Sequence, residues 1–205
     1  MTLLPPLVLE PFGGRQERER LGLEHLRLEA LVRLDRPGAA PSLRIEYRLN
    51  ADCSETPRAI LLPPAAPSPV QRDGLWQHSC LEAFVADASQ SAYWELNLAP
   101  SGNWAVYRFD DYRSGQHPPE GAAPRLAVEQ EGGSLTLQLQ WLLPLELAQA
   151  SELAIGITAV LEQRNGTLSY WALHHPGPQA DFHRRDGFIL QCSPNGDCAA
   201  PPPAP

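Results

Sequence analysis

The chain has 205 residues, 43% of them hydrophobic, with 24 acidic and 16 basic side chains and a formal net charge of −8. Such a length and composition suit one globular domain that builds its own core without metals or a disulfide framework. The acidic balance argues against a binder of nucleic-acid backbones, and since every basic side chain is arginine, Schiff-base chemistry, a Walker-type phosphate loop and a lysine general base are excluded.

The N-terminal run Met1 to Leu7 has no basic start and no long apolar stretch, so it does not read as a signal peptide, and no segment approaches transmembrane length. A cytoplasmic protein without membrane contact is the resulting expectation. Cys53, Cys80, Cys192 and Cys198 lack metal-site spacing and are accordingly expected to be reduced thiols. Strand signals then dominate. Leu26, Leu28, Ala30, Val32 and Leu34 alternate with mostly polar neighbours, and Leu43, Ile45, Tyr47 and Leu49 repeat the pattern. Leu135, Leu137, Leu139 and Trp141 do so again, followed by Leu153, Ile155, Ile157, Ala159 and Leu161. This period of two belongs to half-buried antiparallel strands. Turn clusters separate them, the strongest two-residue hairpin signal being Asn165-Gly166. Only Pro144 to Ala150 reads as helical. Prolines from Pro57 to Pro69 mark a surface loop, and the proline-rich residues 193–205 are expected to form a disordered tail behind a single domain of residues 1–192. The predicted fold is all-β: an antiparallel sandwich, jelly-roll-like, with at most one short helix.

The segment from Leu75 to Gly115 carries the chemistry. It predicts three antiparallel strands near 79–86, 92–98 and 104–109. Alternation sends Leu81, Ala83, Val85, Trp94, Leu96 and Leu98 to the core, leaving Glu82, Phe84, Tyr93, Glu95 and Asn97 on the opposite face. The third strand has two readings. A four-residue loop, Pro100–Asn103, sets Arg108 opposite Glu95, and a five-residue loop sets Tyr107 there. In the first register Glu82, Glu95, Asn97 and Arg108 share one face, either as a cross-strand ion-pair network or as the polar floor of a ligand site. Trp76, after Asp73-Gly74, and Trp104, after the Pro100–Asn103 turn, are placed to stack on a ligand, whereas Trp94 and Trp141 belong to the core.

The strand with Glu82 and Phe84, followed by Tyr93-Trp-Glu-Leu-Asn-Leu-Ala-Pro-Ser-Gly-Asn-Trp, resembles the DOMON-like domains, which are similar to family nine carbohydrate-binding modules. Tyr170-Trp-Ala-Leu-His-His-Pro and Gly187-Phe-Ile-Leu resemble their closing strands. The resemblance spans roughly Leu7 to Gln191 and implies a β-sandwich that binds a sugar or a haem, usually without catalysis. The only methionine is Met1, so a haem would be held by two histidines, from the His78 and His174–His183 regions.

Paired carboxylates on neighbouring strands, Glu82 and Glu95, could sit directly opposite each other as in a retaining glycosidase, but no other catalytic motif accompanies them. The sequence therefore predicts a non-catalytic module for a carbohydrate-like small molecule, contacted by Trp76, Glu82, Glu95, Asn97, Trp104, Arg108 and His174, with no metal and no required cofactor. The alternatives are a haem-binding module and an interaction domain without a small-molecule ligand.

Overall fold

The computed structural model describes residues 4–35, 41–51, 60–117, 123–131, 134–193 and 196–200. Two antiparallel sheets pack face to face. The first has the order β1-β3-β4-β9-β8, built from Leu7–Val8 (β1), Leu26–Asp35 (β3), Ser42–Ala51 (β4), Ser134–Leu142 (β9) and Arg125–Glu131 (β8). The second runs β13-β12-β10-β5-β6-β7: Cys198–Ala199 (β13), Leu190–Cys192 (β12), Leu153–Glu162 (β10), Cys80–Asp87 (β5), Tyr93–Leu98 (β6) and Trp104–Phe109 (β7). Leu168–Ala172 (β11) pairs with the rest of the β10 edge beyond β12, and with Glu10–Pro11 (β2). The expected alternation holds in β3, β4 and β9. The apolar positions of β3, β4 and β9 meet Leu81, Ala83, Val85, Trp94, Leu96, Ile155 and Ile157 in one core. Tyr47 reaches across that core, and its hydroxyl donates to the backbone carbonyl of Glu82 at 2.5 Å.

Sheet one is half-buried, as β3 and β9 show by alternating buried and more exposed residues. Strands β5, β6 and β10 are instead buried on both faces. Their outer face is covered by rings and loops from the same chain, and that cover builds the site described below.

The register of β7 is the five-residue one. Leu98 pairs with Trp104 and Glu95 with Tyr107, so Arg108 does not face Glu95 and leaves the site face for the opposite side of the sheet. The loop chemistry explains this. Gly102 takes φ +89° and donates its N–H to the Ala99 carbonyl at 2.8 Å, while Ala99 N–H bonds the Asn103 carbonyl at 2.8 Å. A turn opened by Pro100 and closed by a left-handed glycine adds one residue to the loop and flips every side chain beyond it. The β10–β11 hairpin uses the same device. Gln163 bonds Thr167, and Gly166 sits at φ +84°, so a three-residue loop stands where two residues were expected.

Three other expectations change. Gly14–Leu21 forms a helix (α1) in addition to the expected turn of helix, Leu145–Ala148 (α2). Arg20 bonds Glu17 within α1, and Gly22 ends it in the left-handed conformation; the mean composition is too polar to mark a buried face. Cys192 and Cys198 form a disulfide and are not the reduced thiols expected, whereas Cys80 is a buried free thiol and Cys53 lies outside the described residues. That disulfide joins β12 to β13, so the segment read as a disordered tail contributes a strand at 198–199, with Cys198 and Ala200 packed on the core. Residues 201–205 lie outside the described ones. Replacing Cys192 by serine should lower stability by about 2 kcal/mol, the value for so short a closed loop, as thermal unfolding with and without reductant would read. An unchanged melting temperature would show that the Cys192–Cys198 bond contributes nothing to stability.

Candidate functional site

The outer face of sheet two carries an open cleft of about 850 Å³. Its floor comes from alternate residues of adjacent strands: Glu82 and Phe84 of β5, Glu95 of β6, Tyr107 and Phe109 of β7, and Val160 and Tyr170 of β10 and β11. Three loops form the rim, supplying Gln71, Asp73 and Trp76, then Arg113 and His117, then Phe182 and His183. Aromatic rings thus surround a small polar centre, a common composition for small-molecule sites.

Glu82 is 2% exposed and Glu95 6%. They are not directly opposite as the glycosidase reading required: Glu82 pairs with Asn97, and Glu95 with Phe84, so the two carboxyl groups are diagonal neighbours. Burial lifts the Glu82 carboxyl well above its ordinary range, and the Glu95 charge adds to this. Burial also raises Glu95, although the Asn97 amide and the Arg113 charge pull it back. Thr158 donates to Glu82 at 3.3 Å, and Asn97 Nδ2 donates to Glu95 Oε1 at 2.6 Å. Cys80, its thiol raised by burial, donates to Asn97 Oδ1 at 3.6 Å.

One end of the cleft is a relay. The Arg113 backbone N–H donates to the Tyr93 hydroxyl oxygen at 3.2 Å, and that hydroxyl meets His183 Nδ1 at 2.7 Å. Arg113 adopts φ +48°, the one positive value outside glycine among the described residues, and its guanidinium is tied to Asp181 at 2.9 Å. Burial and the Arg113 charge push His183 down to about 4. It is therefore neutral, and with Tyr93 donating to Nδ1 we assign the ring proton to Nε2, 3.8 Å from Glu95 Oε2. The rings of Phe84, Tyr93 and Phe109 pack around His183 at 5.2, 5.9 and 5.1 Å. Burial also raises the Tyr93 phenol, to about 12.

Of the residues singled out in the sequence, Trp76, Glu82 and Glu95 line the cleft. Asn97 lies beneath it and orients Glu95. The other three are elsewhere. Trp104 is on the core side of β7. Arg108 pairs with Asp110 and Glu146 and lies over the Trp94 ring at 5.3 Å. His174 is outside the lining. Tyr107 and Phe109 face the cleft only in the five-residue register, the second of the two readings, and Arg113 and Phe182 reach it from loops whose folding leaves no periodic signal.

The histidine regions named for the haem alternative do not converge on the cleft, although His117 joins His183 in its lining. Of His78, His174, His175 and His183 only His183 lines the cleft. His78 bonds Glu162 at 2.8 Å and His175 the Glu10 carbonyl at 2.9 Å, each away from it. Among the described residues no group of three or more His, Cys, Asp or Glu side chains is arranged to hold a metal ion.

No protein-family model matches the sequence, and no curated protein matches it. Solved structures similar to the chain include a candidate carbohydrate-binding protein from Bacteroides uniformis, with 11% identity and a TM-score of 0.49, covering 87% of this chain and 83% of that one. A family nine carbohydrate-binding module from Caldicellulosiruptor kristjanssonii is similar in two structures. In complex with glucose it shows 9% identity and a TM-score of 0.39, over 71% of this chain and 66% of that one. In complex with cellotriose the values are 10% and 0.39, over 74% and 68%. At these identities and scores the likenesses carry no argument about the ligand; the chemistry of the cleft does.

Proposed function

We propose that the cleft binds a carbohydrate-like small molecule and that the chain is a binding module, not a catalyst. The observation that carries this reading is the pairing of a ring-lined wall with a floor of two buried carboxyl groups, one of them oriented by the Asn97 amide beneath it. Apolar sugar faces stack on rings, and hydroxyls need closely spaced donors and acceptors. A protonated carboxyl offers both. Catalysis is disfavoured because Glu82 and Glu95 lie side by side on one floor, both raised by burial. A retaining glycosidase needs one ionised nucleophile and one acid flanking the scissile bond.

Titration with neutral hexoses, their oligomers and their amino derivatives, followed by tryptophan fluorescence, tests the proposal. A saturable change is expected. Trp76 is 53% exposed at the rim, so Trp76→Ala should leave the melting temperature unchanged while costing about 1–2 kcal/mol of binding, roughly 5- to 30-fold. No saturable response from any of these compounds would overturn the reading.

A further inference from the structure

The register of β7 has a chemical consequence for the ligand. With Arg108 on the far side of the sheet, no arginine among the described residues forms an ion pair with either floor carboxyl group, although the Arg113 charge is felt by Glu95. None of the ion pairs among the described residues includes Glu82, and Glu95 meets only His183, at 3.8 Å. The other charged groups around the cleft are already engaged. Arg113 is tied to Asp181, His117 sits between Arg108 and Asp110, and Asp73 accepts from the Tyr107 hydroxyl at 2.7 Å. The remaining wall is aromatic: Phe84, Tyr107, Phe109, Tyr170 and Phe182, with Trp76 at the rim.

Ring faces attract cations, most strongly where water is excluded, and buried carboxylates need a cation to be ionised at modest cost. We propose that the ligand of this cleft carries an ammonium group, received jointly by the aromatic wall and by Glu82 and Glu95, which makes it an amine-bearing polyol of the amino-sugar class. This rests on the carbohydrate reading above and names the substituent that the floor selects. Binding is then an exchange. A floor carboxyl gives its proton to the solvent as the ammonium arrives, so a carboxylic acid and a cation become an ion pair plus one released proton. His183 remains neutral, since burial and then the Arg113 charge oppose a second proton while Tyr93 holds Nδ1.

The test is titration calorimetry with glucose, N-acetylglucosamine, glucosamine and tetramethylammonium, at a pH where the glucosamine amine is protonated and in two buffers of different ionisation heat. Glucosamine should bind at least tenfold tighter than glucose or N-acetylglucosamine, with a buffer-dependent heat that reports proton release. Glu95→Gln should bring glucosamine to the glucose level. The proton count needs no variant, so it decides the question even if that substitution disturbs folding. Equal affinity for glucose and glucosamine without proton release overturns the inference and leaves the carbohydrate reading standing. Binding of tetramethylammonium but of no sugar keeps the ammonium site and overturns the polyol. Silence from all four compounds overturns both.

Discussion

Replacing Phe84 by alanine should destabilise the protein by about 3–5 kcal/mol, the range for removing a large buried ring. Phe84 is 1% exposed and packs against Tyr93, His183 and Phe188, with ring centroids 6.3, 5.2 and 5.6 Å away. Its neighbour across β10 is Gly156, where a Cβ would come within 2.9 Å of the Phe188 ring. Phe188 therefore lies directly on the β10 backbone, and nothing beside Phe84 can collapse cheaply into the space it leaves. For a domain of this size the melting temperature should fall by roughly 6–20 °C. Phe84→Leu should recover part of the loss. Because the ring also keeps water from His183, Phe84→Ala should let that histidine titrate closer to its ordinary range, which NMR can follow. A loss below about 1 kcal/mol would show that the outer face of sheet two is loosely covered.

The second large effect is a gain. Glu82→Gln should stabilise the protein by about 1–3 kcal/mol near pH 8, because the amide fills the same buried place without having to take up a proton or bury a charge on folding. The sign follows from proton counts. Below the ordinary value of 4.5 the carboxyl is protonated whether folded or unfolded. As pH rises the unfolded chain releases its proton while the folded one, raised by burial and by Glu95, keeps it. The folded state then holds more protons, and stability falls until the folded carboxyl ionises. Glutamine removes this fall; a smaller one from Glu95, raised in the same direction, remains. His183 acts oppositely: its folded value is depressed from 6.5 to about 4, so the stability it contributes is present above 6.5 and lost as pH drops through that window. Wild type should thus be most stable at mildly acidic pH, and Glu82→Gln should extend that optimum upward. Parallel stability–pH curves for the two proteins would refute this account of Glu82.

The sequence displayed the sandwich because its signal is local. Leu28 to Leu34, Leu43 to Leu49 and Leu135 to Trp141 each repeat every second residue, and each buries the side that its alternation marks. The same parity placed Glu82 and Glu95 on the outer face. It could not say how well that face was covered, since Phe182, His183 and Phe188 arrive from a segment far along the chain. Arg108 and Trp104 were misassigned by one residue of loop length, although the turn itself holds the answer: proline, then serine, then a glycine free to take positive φ. Helix α1 escaped because its residues, Gly-Arg-Gln-Glu-Arg-Glu-Arg-Leu, carry no apolar stripe; local ion pairs and a glycine stop hold it. The Cys192–Cys198 bond leaves no mark in residue spacing typical of metal sites, yet two cysteines six residues apart across a tight hairpin are within reach of each other.

The Tyr47 bond to the carbonyl of Glu82 ties the floor of the cleft to the opposite sheet, while the rim comes from three separate loops. Floor and rim therefore answer to different constraints. Substitutions that change the size of a floor ring such as Phe84 disturb a layer shared with the core and are purged through stability, whereas rim loops can change length or composition at little cost to the fold. A lineage built on this plan would keep one acidic, ring-walled receptor and explore ligand size and shape by exchanging loops around it, much as a fixed socket accepts a succession of fittings.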